Sequence, residues 1–307
     1  MEFKAEVAQF FKDLQDQICK ALEQADGQGV FHQDLWERPE GGGGRTRILR
    51  GGNIIEKGGV NFSEVDGELP ANIAQALKLD VGYFFATGVS IVIHPISPMI
   101  PIIHMNVRYF ETTNKKGGVP VASWFGGGID LTPHYIVKEQ AAWFHQQLKA
   151  ACDVHSSDYY PRFKNWADDY FFLPHRDETR GVGGIFFDRL AETEDYSIQD
   201  RFAFVQEVGN SFAPIYTRFM QTNNNLNFGE RELAWQKLRR GRYVEFNLVF
   251  DKGTKFGFDT NGRIESILMS LPATAGWEYN HVPEEGSQEA LTQSLLKKGI
   301  DWLGFSQ

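Results

Sequence analysis

Four histidines carry most of the chemical potential of this sequence: His94, His104, His145 and His175. Imidazole is the commonest metal ligand and the usual general acid or base near neutral pH. The chain has no HxH, HExxH or CxxC pattern, so no local spacing picks a metal site. Metal ligation, proton or substrate handling, and structural burial all stay open for each histidine. The cysteines are Cys19 and Cys152 alone, and neither lies in a polar motif, so Cys–His nucleophilic chemistry has no support. Arginines form a second signal. Arg45, Arg47 and Arg50 follow a glycine run, Arg108 lies beside Asn106, Arg239, Arg240 and Arg242 cluster, and Arg263 follows Asn261-Gly262. Guanidinium groups hold carboxylates and phosphates with two hydrogen bonds, and nearby glycine lets backbone N–H groups approach an anion. The glycine run lacks the GK[ST] of a phosphate loop, and no GxGxxG-like stretch has strand–turn–helix context. Asp130 and Asp251 close apolar, strand-like runs. Each is either a strand-end cap or a carboxylate facing a cavity, where amide or pyrrole N–H groups would be fitting partners.

These residues need elements to hold them. Apolar positions from Phe3 to Leu22 recur every three or four residues, which predicts a helix over 3–24 that stops at Gly27. Residues 27–67 read as irregular, with a short helix from Pro70 carrying Ile73 and Leu77 inward. Strands are predicted at 82–94, 102–111 and 119–127, and at 181–187. Helices are predicted at 137–152, 157–172, 197–221, 229–238 and 286–302. Two strands at 241–251 and 254–260, with a third at 263–270, complete the pattern. The last pair is joined by Asn261-Gly262, the strongest two-residue hairpin signal. The fold class is α+β: a large, mainly antiparallel β-sheet flanked on both faces by α-helices, in a single domain over 1–307.

Composition narrows the partners. With 31 Lys+Arg against 40 Asp+Glu, the net charge of −9 opposes general binding to nucleic acid or an anionic membrane. Aromatic residues make up 14% of the chain, which excludes disorder and favours a large core or a large flat ligand. No membrane span is expected, and the acid-rich N-terminus resembles neither a signal nor a transit peptide. Few cysteines suit a reducing compartment, so a cytoplasmic location is expected.

Several stretches together resemble the oxygen-dependent coproporphyrinogen III oxidases: FFATGVSIVIHP (84–95), HMNVRYFE (104–111), SWFGGGIDLTP (123–133), KNWADDYFFLPHR (164–176), RGVGGIFFD (180–188), RRGRYVEFNLVFDKGTKFG (239–257) and GRIESILMSLP (262–272). The resemblance implies a homodimer acting on coproporphyrinogen III. Two propionates become vinyls at the expense of molecular oxygen, giving protoporphyrinogen IX, carbon dioxide and hydrogen peroxide in haem biosynthesis. It implies no organic cofactor. Bacterial members are described as binding a divalent metal, and others as metal-free. Position by position, His94, His104, His145 and His175 match the metal-ligand histidines. His104, with His175, Asp130 and Asp251, supplies the catalytic candidates, and His104 matches the proton donor. Ser90, Asn106, Val107, Arg108, Asn261, Gly262 and Arg263 match substrate-binding positions. The chain departs from the family at Val107, where Tyr is usual, at Lys252, where Arg follows the Asp, and at Ile96-Ser97. The resemblance also places the dimer contacts at about 239–275. Two rivals remain at this stage: a His-ligated metal oxygenase or hydrolase, and a non-catalytic tetrapyrrole-binding protein.

Overall fold

The computed structural model describes residues 2–69, 71, 74–75, 82–259 and 262–305. Among the described residues, seven strands form one antiparallel sheet in the order β1-β2-β3-β4-β5-β6-β9. They are β1 (His32–Glu37), β2 (Gly42–Arg50), β3 (Ile55–Glu68), β4 (Tyr83–Pro95), β5 (Ile102–Thr113), β6 (Pro120–Thr132) and β9 (Gly183–Leu190). The two-residue strands β7 (Phe172–Leu173) and β8 (Glu178–Thr179) pair separately. The α+β expectation of a large antiparallel sheet with helices is met.

One face of the sheet carries the main core. Val60, Ile91, Met105, Ile129 and Ile185 form one cross-strand row there, and Phe62, Val89, Val107, Gly127 and Phe187 form another. Helix α1 (Phe3–Asp26) covers this face with Val7, Phe11, Leu14, Ile18 and Leu22, spaced three or four apart and buried. It ends at Gly27, whose φ of 78° is the left-handed cap that a side chain resists. Helix α2 (Lys138–Asp153) and helix α4 (Ile198–Asn223) complete this layer; α4 opens with a Ser197–Asp200 capping box. Helix α3 (Tyr159–Tyr170) runs along β9 and touches both faces: its Phe163 meets Phe187, while its Trp166 and Tyr170 meet Phe186. The second face is covered only in part, by α5 (Glu230–Val249), α6 (Lys252–Asp259) and α7 (Ile264–Leu268).

Three sequence expectations are corrected. Residues 27–67, read as irregular, contain three strands. Their alternation is masked because Arg45 and Arg47 lie on the face toward α1, where they pair with Asp16 at 2.9 and 2.7 Å. The strands expected at 241–251, 254–260 and 263–270 are helical. Residues Trp235, Leu238, Arg239, Tyr243 and Phe246 are buried at helical spacing, and that outweighs the β propensity of the aromatic run. Asn261 lies outside the described residues, and Gly262 donates its N–H to the Gly257 carbonyl at 2.7 Å instead of turning a hairpin. The last helix, α8, is short (Gln288–Ser294) and is followed by a 3-10 turn at Trp302–Phe305. The helix expected from Pro70, with Ile73 and Leu77, lies mostly outside the described residues.

Asp26 ties α1 to the start of β3. Its carboxylate accepts backbone N–H bonds from Gly29, Asn53, Ile54 and Ile55 at 2.6–2.9 Å. Burial alone would raise this carboxyl; the four backbone donors more than reverse that, and it sits below the usual range. Its stabilisation is therefore present above about pH 4 and is lost as pH falls through the lowered value. Asp26→Ala is expected to cost about 3 kcal/mol at pH 7, because it strands buried N–H groups. Urea unfolding at pH 7 measures this.

Candidate active site

In an antiparallel sheet, residues directly opposite each other share a face. On the second face the register aligns Asn61, Ser90, Asn106, Gly128 and Phe186 in one row. A neighbouring row is Gly59, Val92, His104, Asp130 and Gly184, and a third is Ser63, Gly88, Arg108 and Gly126. Five of the sequence candidates thus meet on one surface: Ser90, His104, Asn106, Arg108 and Asp130. Gly88, Gly126 and Gly128 bring no side chains and, beside the partly exposed Ser90, His104, Asn106 and Arg108, form the floor of a trough, whereas Gly59 lies under Met269. Val107 is the exception. Its side chain is fully buried in the main core on the opposite face, away from Asn106 and Arg108; the period of two along β5 sends it there.

A buried charge string lies under this surface. His104 Nδ1 donates to Asp130 Oδ1 at 2.8 Å. Both Asp130 oxygens accept from Arg180 Nη2 at 2.8 Å, and Arg180 Nη1 donates to Asn247 Oδ1 at 2.8 Å. The Arg180 guanidinium lies against the rings of Phe171, Tyr243 and Phe246, at 4.4–4.7 Å. Burial would raise the Asp130 carboxyl, but the Arg180 charge and the His104 hydrogen bond hold it below its ordinary value. Asp130 therefore stays ionised and fixes His104 with its proton on Nδ1. Nε2 is left without a protein partner among the described residues, and the ring is 22% exposed.

Asp251, just after α5, forms a second acid on this side. Tyr170 Oη donates to its Oδ1 at 2.8 Å, and the Thr254 N–H donates to its Oδ2 at 2.7 Å. These bonds outweigh burial and keep this carboxyl low as well. Tyr170 stacks on Phe186 with 4.0 Å between ring centres, and Trp166 meets the same ring edge-on, so α3 adds an aromatic wall. At the third side, Arg263 caps α7 and pairs with Asp34 of β1, while Ser266 accepts from Asn61 Nδ2 at 3.0 Å through its carbonyl.

The four histidines are not gathered. His94 is buried under α5, with Nε2 on the Ser270 carbonyl at 2.8 Å; burial, helped by nearby Arg240 and Lys57, pushes its pKa down to about 3. His145 lies in the core on the other side of the sheet, between the Tyr160 hydroxyl at 3.0 Å and the Val182 carbonyl at 2.9 Å, and burial pushes its pKa down to about 4. His175 is on the surface, bonded to Glu245 at 2.7 Å beside the bidentate Arg176–Glu245 pair. Among the described residues it shares no hydrogen bond with His104, Asp130 or Asp251, and it is held in that surface cluster. Among the described residues no group of three or more His, Cys, Asp or Glu is placed to hold a metal ion. The four-histidine metal set does not fit this structure: the sheet separates His145 from His94 and His104, and His175 is held at the surface by Glu245.

Most other arginines singled out from sequence are internal. Arg239 pairs with Glu178 at 2.9 Å, Arg240 with Glu56 at 2.6 Å and Arg242 with Glu245 at 3.2 Å. Sequence reasoning missed Arg180, Tyr170, Phe186 and Asp188. The signal for Arg180 was present: it adjoins Gly181, the same Arg–Gly neighbourhood that drew attention to Arg45. Nothing local distinguishes Tyr170, which is one of several aromatics in YFFLPHR.

Residues 6–302 match the sequence profile of the family described as Coproporphyrinogen III oxidase. The chain is 49% identical over 298 residues to an oxygen-dependent coproporphyrinogen-III oxidase, chloroplastic, of Glycine max, covering 93% of this chain and 76% of that protein. It is 48% identical over 295 residues to coproporphyrinogen-III oxidase 1, chloroplastic, of Arabidopsis thaliana, with the same coverage. A third relative, the chloroplastic oxygen-dependent coproporphyrinogen-III oxidase of Nicotiana tabacum, is 49% identical over 288 residues, covering 91% of this chain and 72% of that protein. No described helix is long and apolar enough to cross a membrane.

The charge string gives a test with a sign. In the native protein Asp130 is held low, so its contribution persists above about pH 4 and disappears as pH falls through the lowered value. Arg180→Met removes the compensating charge and leaves burial to raise the carboxyl. The variant should lose about 3–5 kcal/mol at pH 7 and lose less at pH 5, where protonation relieves the buried charge. Urea midpoints at the two pH values measure the difference.

Proposed function

The chain belongs to the coproporphyrinogen III oxidase family, and from that premise we propose that the glycine-floored trough on the second sheet face is where coproporphyrinogen III reacts. The reaction is the oxygen-dependent oxidative decarboxylation of two propionates to vinyls, giving protoporphyrinogen IX for haem synthesis. Each step balances as one propionate, one oxygen molecule and one proton giving one vinyl, one carbon dioxide and one hydrogen peroxide. The side chain loses two electrons and oxygen gains them.

The observation that carries the site is the His104–Asp130–Arg180 string, buried at one end and open to a trough rimmed by arginine at the other. It supports His104 Nε2 as the group that handles the proton of each step, with Asp130 and Arg180 holding its tautomer and orientation. Asp251 is the proposed acceptor for the pyrrole N–H groups. It is ionised and held by Tyr170, and an ionised acceptor favours the electron-rich ring that oxygen attacks. Ser90 and Asn106 supply neutral polar contacts, and Arg108 and Arg263 take propionates, with Asn261 and Gly262 preceding the latter in sequence. Lys252 keeps a positive charge next to Asp251 but as a point charge, without the fork of arginine. The wall of Tyr170, Phe186 and Trp166 suits the face of a large ring system.

No organic cofactor is proposed. The porphyrinogen supplies the electrons, molecular oxygen is co-substrate, and the protein contributes position, exclusion of water and proton control. A divalent metal would need another donor set than His94, His104, His145 and His175. The working unit is proposed to be a cytoplasmic homodimer. Leu248, Val249, Phe258 and Ile264 are exposed apolar residues within 239–275, which supports an interface there. Cys19 and Cys152 are free and buried, in keeping with a reducing compartment.

Purified protein treated with chelator and given coproporphyrinogen III is expected to form protoporphyrinogen IX in air and none without oxygen. Product formation that returns only on adding one metal would overturn the metal-free reading. Asp251→Ala is expected to lower kcat by about 10²–10⁴-fold while binding of coproporphyrinogen without oxygen changes far less. Near-normal turnover would remove Asp251 from its role.

A further inference from the structure

Arg108 is already paired before any ligand arrives. Its Nη1 donates to Asn106 Oδ1 at 2.7 Å and its Nη2 to Asp188 Oδ1 at 2.7 Å. Asp188 comes from β9, two strands away, so the pair spans the intervening β6 above Gly126. A Cβ on Gly126 would stand 2.5 Å from Asp188 Oδ1 and 2.7 Å from Arg108 Nη2, so the bridge exists only because that position is glycine. The backbone also bends to make it. Pairing runs from Phe125↔Leu190 to Gly127↔Phe187, which sets two β9 residues, Asp188 and Arg189, against Gly126. Arg189 takes a φ of 48° in this bulge. Bulges re-aim side chains, and this one turns a carboxylate onto the arginine of the trough.

The pair is half-exposed, with side chains 39% and 36% accessible. Ion pairs of that kind are weak and exchange readily. A carboxylate that an arginine holds weakly, in the position where a propionate would bind, is a competitor for it. We propose that Asp188 is a specificity-determining positioning residue that stands in for the substrate's propionate on Arg108. It fills the guanidinium when no propionate is present, yields to one on binding, and returns when that propionate must leave. The return matters because two different propionates react in turn. The monovinyl intermediate has to release Arg108 before the ring system can present its second side chain. Without Asp188 the released arginine would be left bare, and the intermediate would let go slowly. This rests on the trough taking coproporphyrinogen III as proposed above.

Asp188→Asn keeps an oxygen for Arg108 and removes the competing charge. The KM for coproporphyrinogen III should fall about two- to fivefold, the loss of one half-exposed ion pair. At the same time kcat for protoporphyrinogen IX should fall, and the monovinyl intermediate should form a larger fraction of the tetrapyrrole recovered at early times. Asp188→Glu, which restores the charge, should return both quantities toward the wild type. A merely structural Asp188 would lower thermal stability and kcat together and leave the intermediate fraction alone. An unchanged or raised KM with an unchanged intermediate fraction in a variant that melts like the wild type overturns the proposal. If Asp188→Asn does not fold, Asp188→Ser is read by the same two quantities. The wild-type control separates the two levels: a wild type that makes no protoporphyrinogen IX in air defeats the assignment of the trough, whereas a competent wild type matched by Asp188→Asn defeats only the role of Asp188.

Discussion

The buried pair of Arg180 and Asp130 is the constraint on which the second face depends. Taking two charges out of water is costly, and further hydrogen bonds offset that cost, here at both terminal nitrogens of Arg180 while Nε stays unpartnered among the described residues. That requirement pulls in partners from several directions. Asn247 arrives from α5, the rings of Phe171, Tyr243 and Phe246 close over the guanidinium, and His104 occupies the remaining position on Asp130. Helix α5 is thereby fixed over one end of the sheet, and the part of that face that α6 and α7 do not cover is left open. The same interaction that seats the helix also sets the orientation of the most accessible imidazole in the trough.

The trough itself is a product of glycine on β4 and β6, the two strands that flank β5. Gly88, Gly126 and Gly128 bring no side chains, so long polar groups from neighbouring rows can lie along the sheet instead of standing up from it. Arg108 lies flat for this reason. The main core on the other face shows the opposite choice, with Ile, Val, Met and Phe at most positions of its rows. One sheet thus serves two solvents: its packed face supplies the stability that lets the other face stay polar, thinly covered and partly strained at Arg189.

Charge is divided in the same way. Arg180, Arg239 and Arg240 are buried and matched to acids or carbonyls within the protein, where they hold α5 in place. Arg108 and Arg263 are held by half-exposed or exposed aspartates, Asp188 and Asp34, and so remain exchangeable. Composition does not separate these groups. The difference lies in burial, which turns an ion pair from a weak and replaceable contact into a structural one.

Much of this protein was legible in the sequence. The helix from Phe3, the three long strands around residues 83–132 and the helices at 138 and 198 all follow from periodicity, because each buries a single apolar stripe or alternate residues. Family motifs brought Ser90, His104, Asn106, Arg108, Asp130 and Asp251 into view. Other features depended on distant neighbours. Val107 sits between two site residues in sequence, but the pleat turns it into the core. Residues 241–249 have the composition of a strand, but their buried stripe against the sheet makes them a helix. His94, His145 and His175 share a residue type with His104 yet meet a carbonyl, a tyrosine and a surface glutamate. Asp188 became visible only once β9 was laid beside β6. Sequence by itself determined which side chains were available and which segments had a helical or extended period. Only the tertiary structure decided which of them share a face, because strand register and burial are set by contacts between residues far apart in the chain.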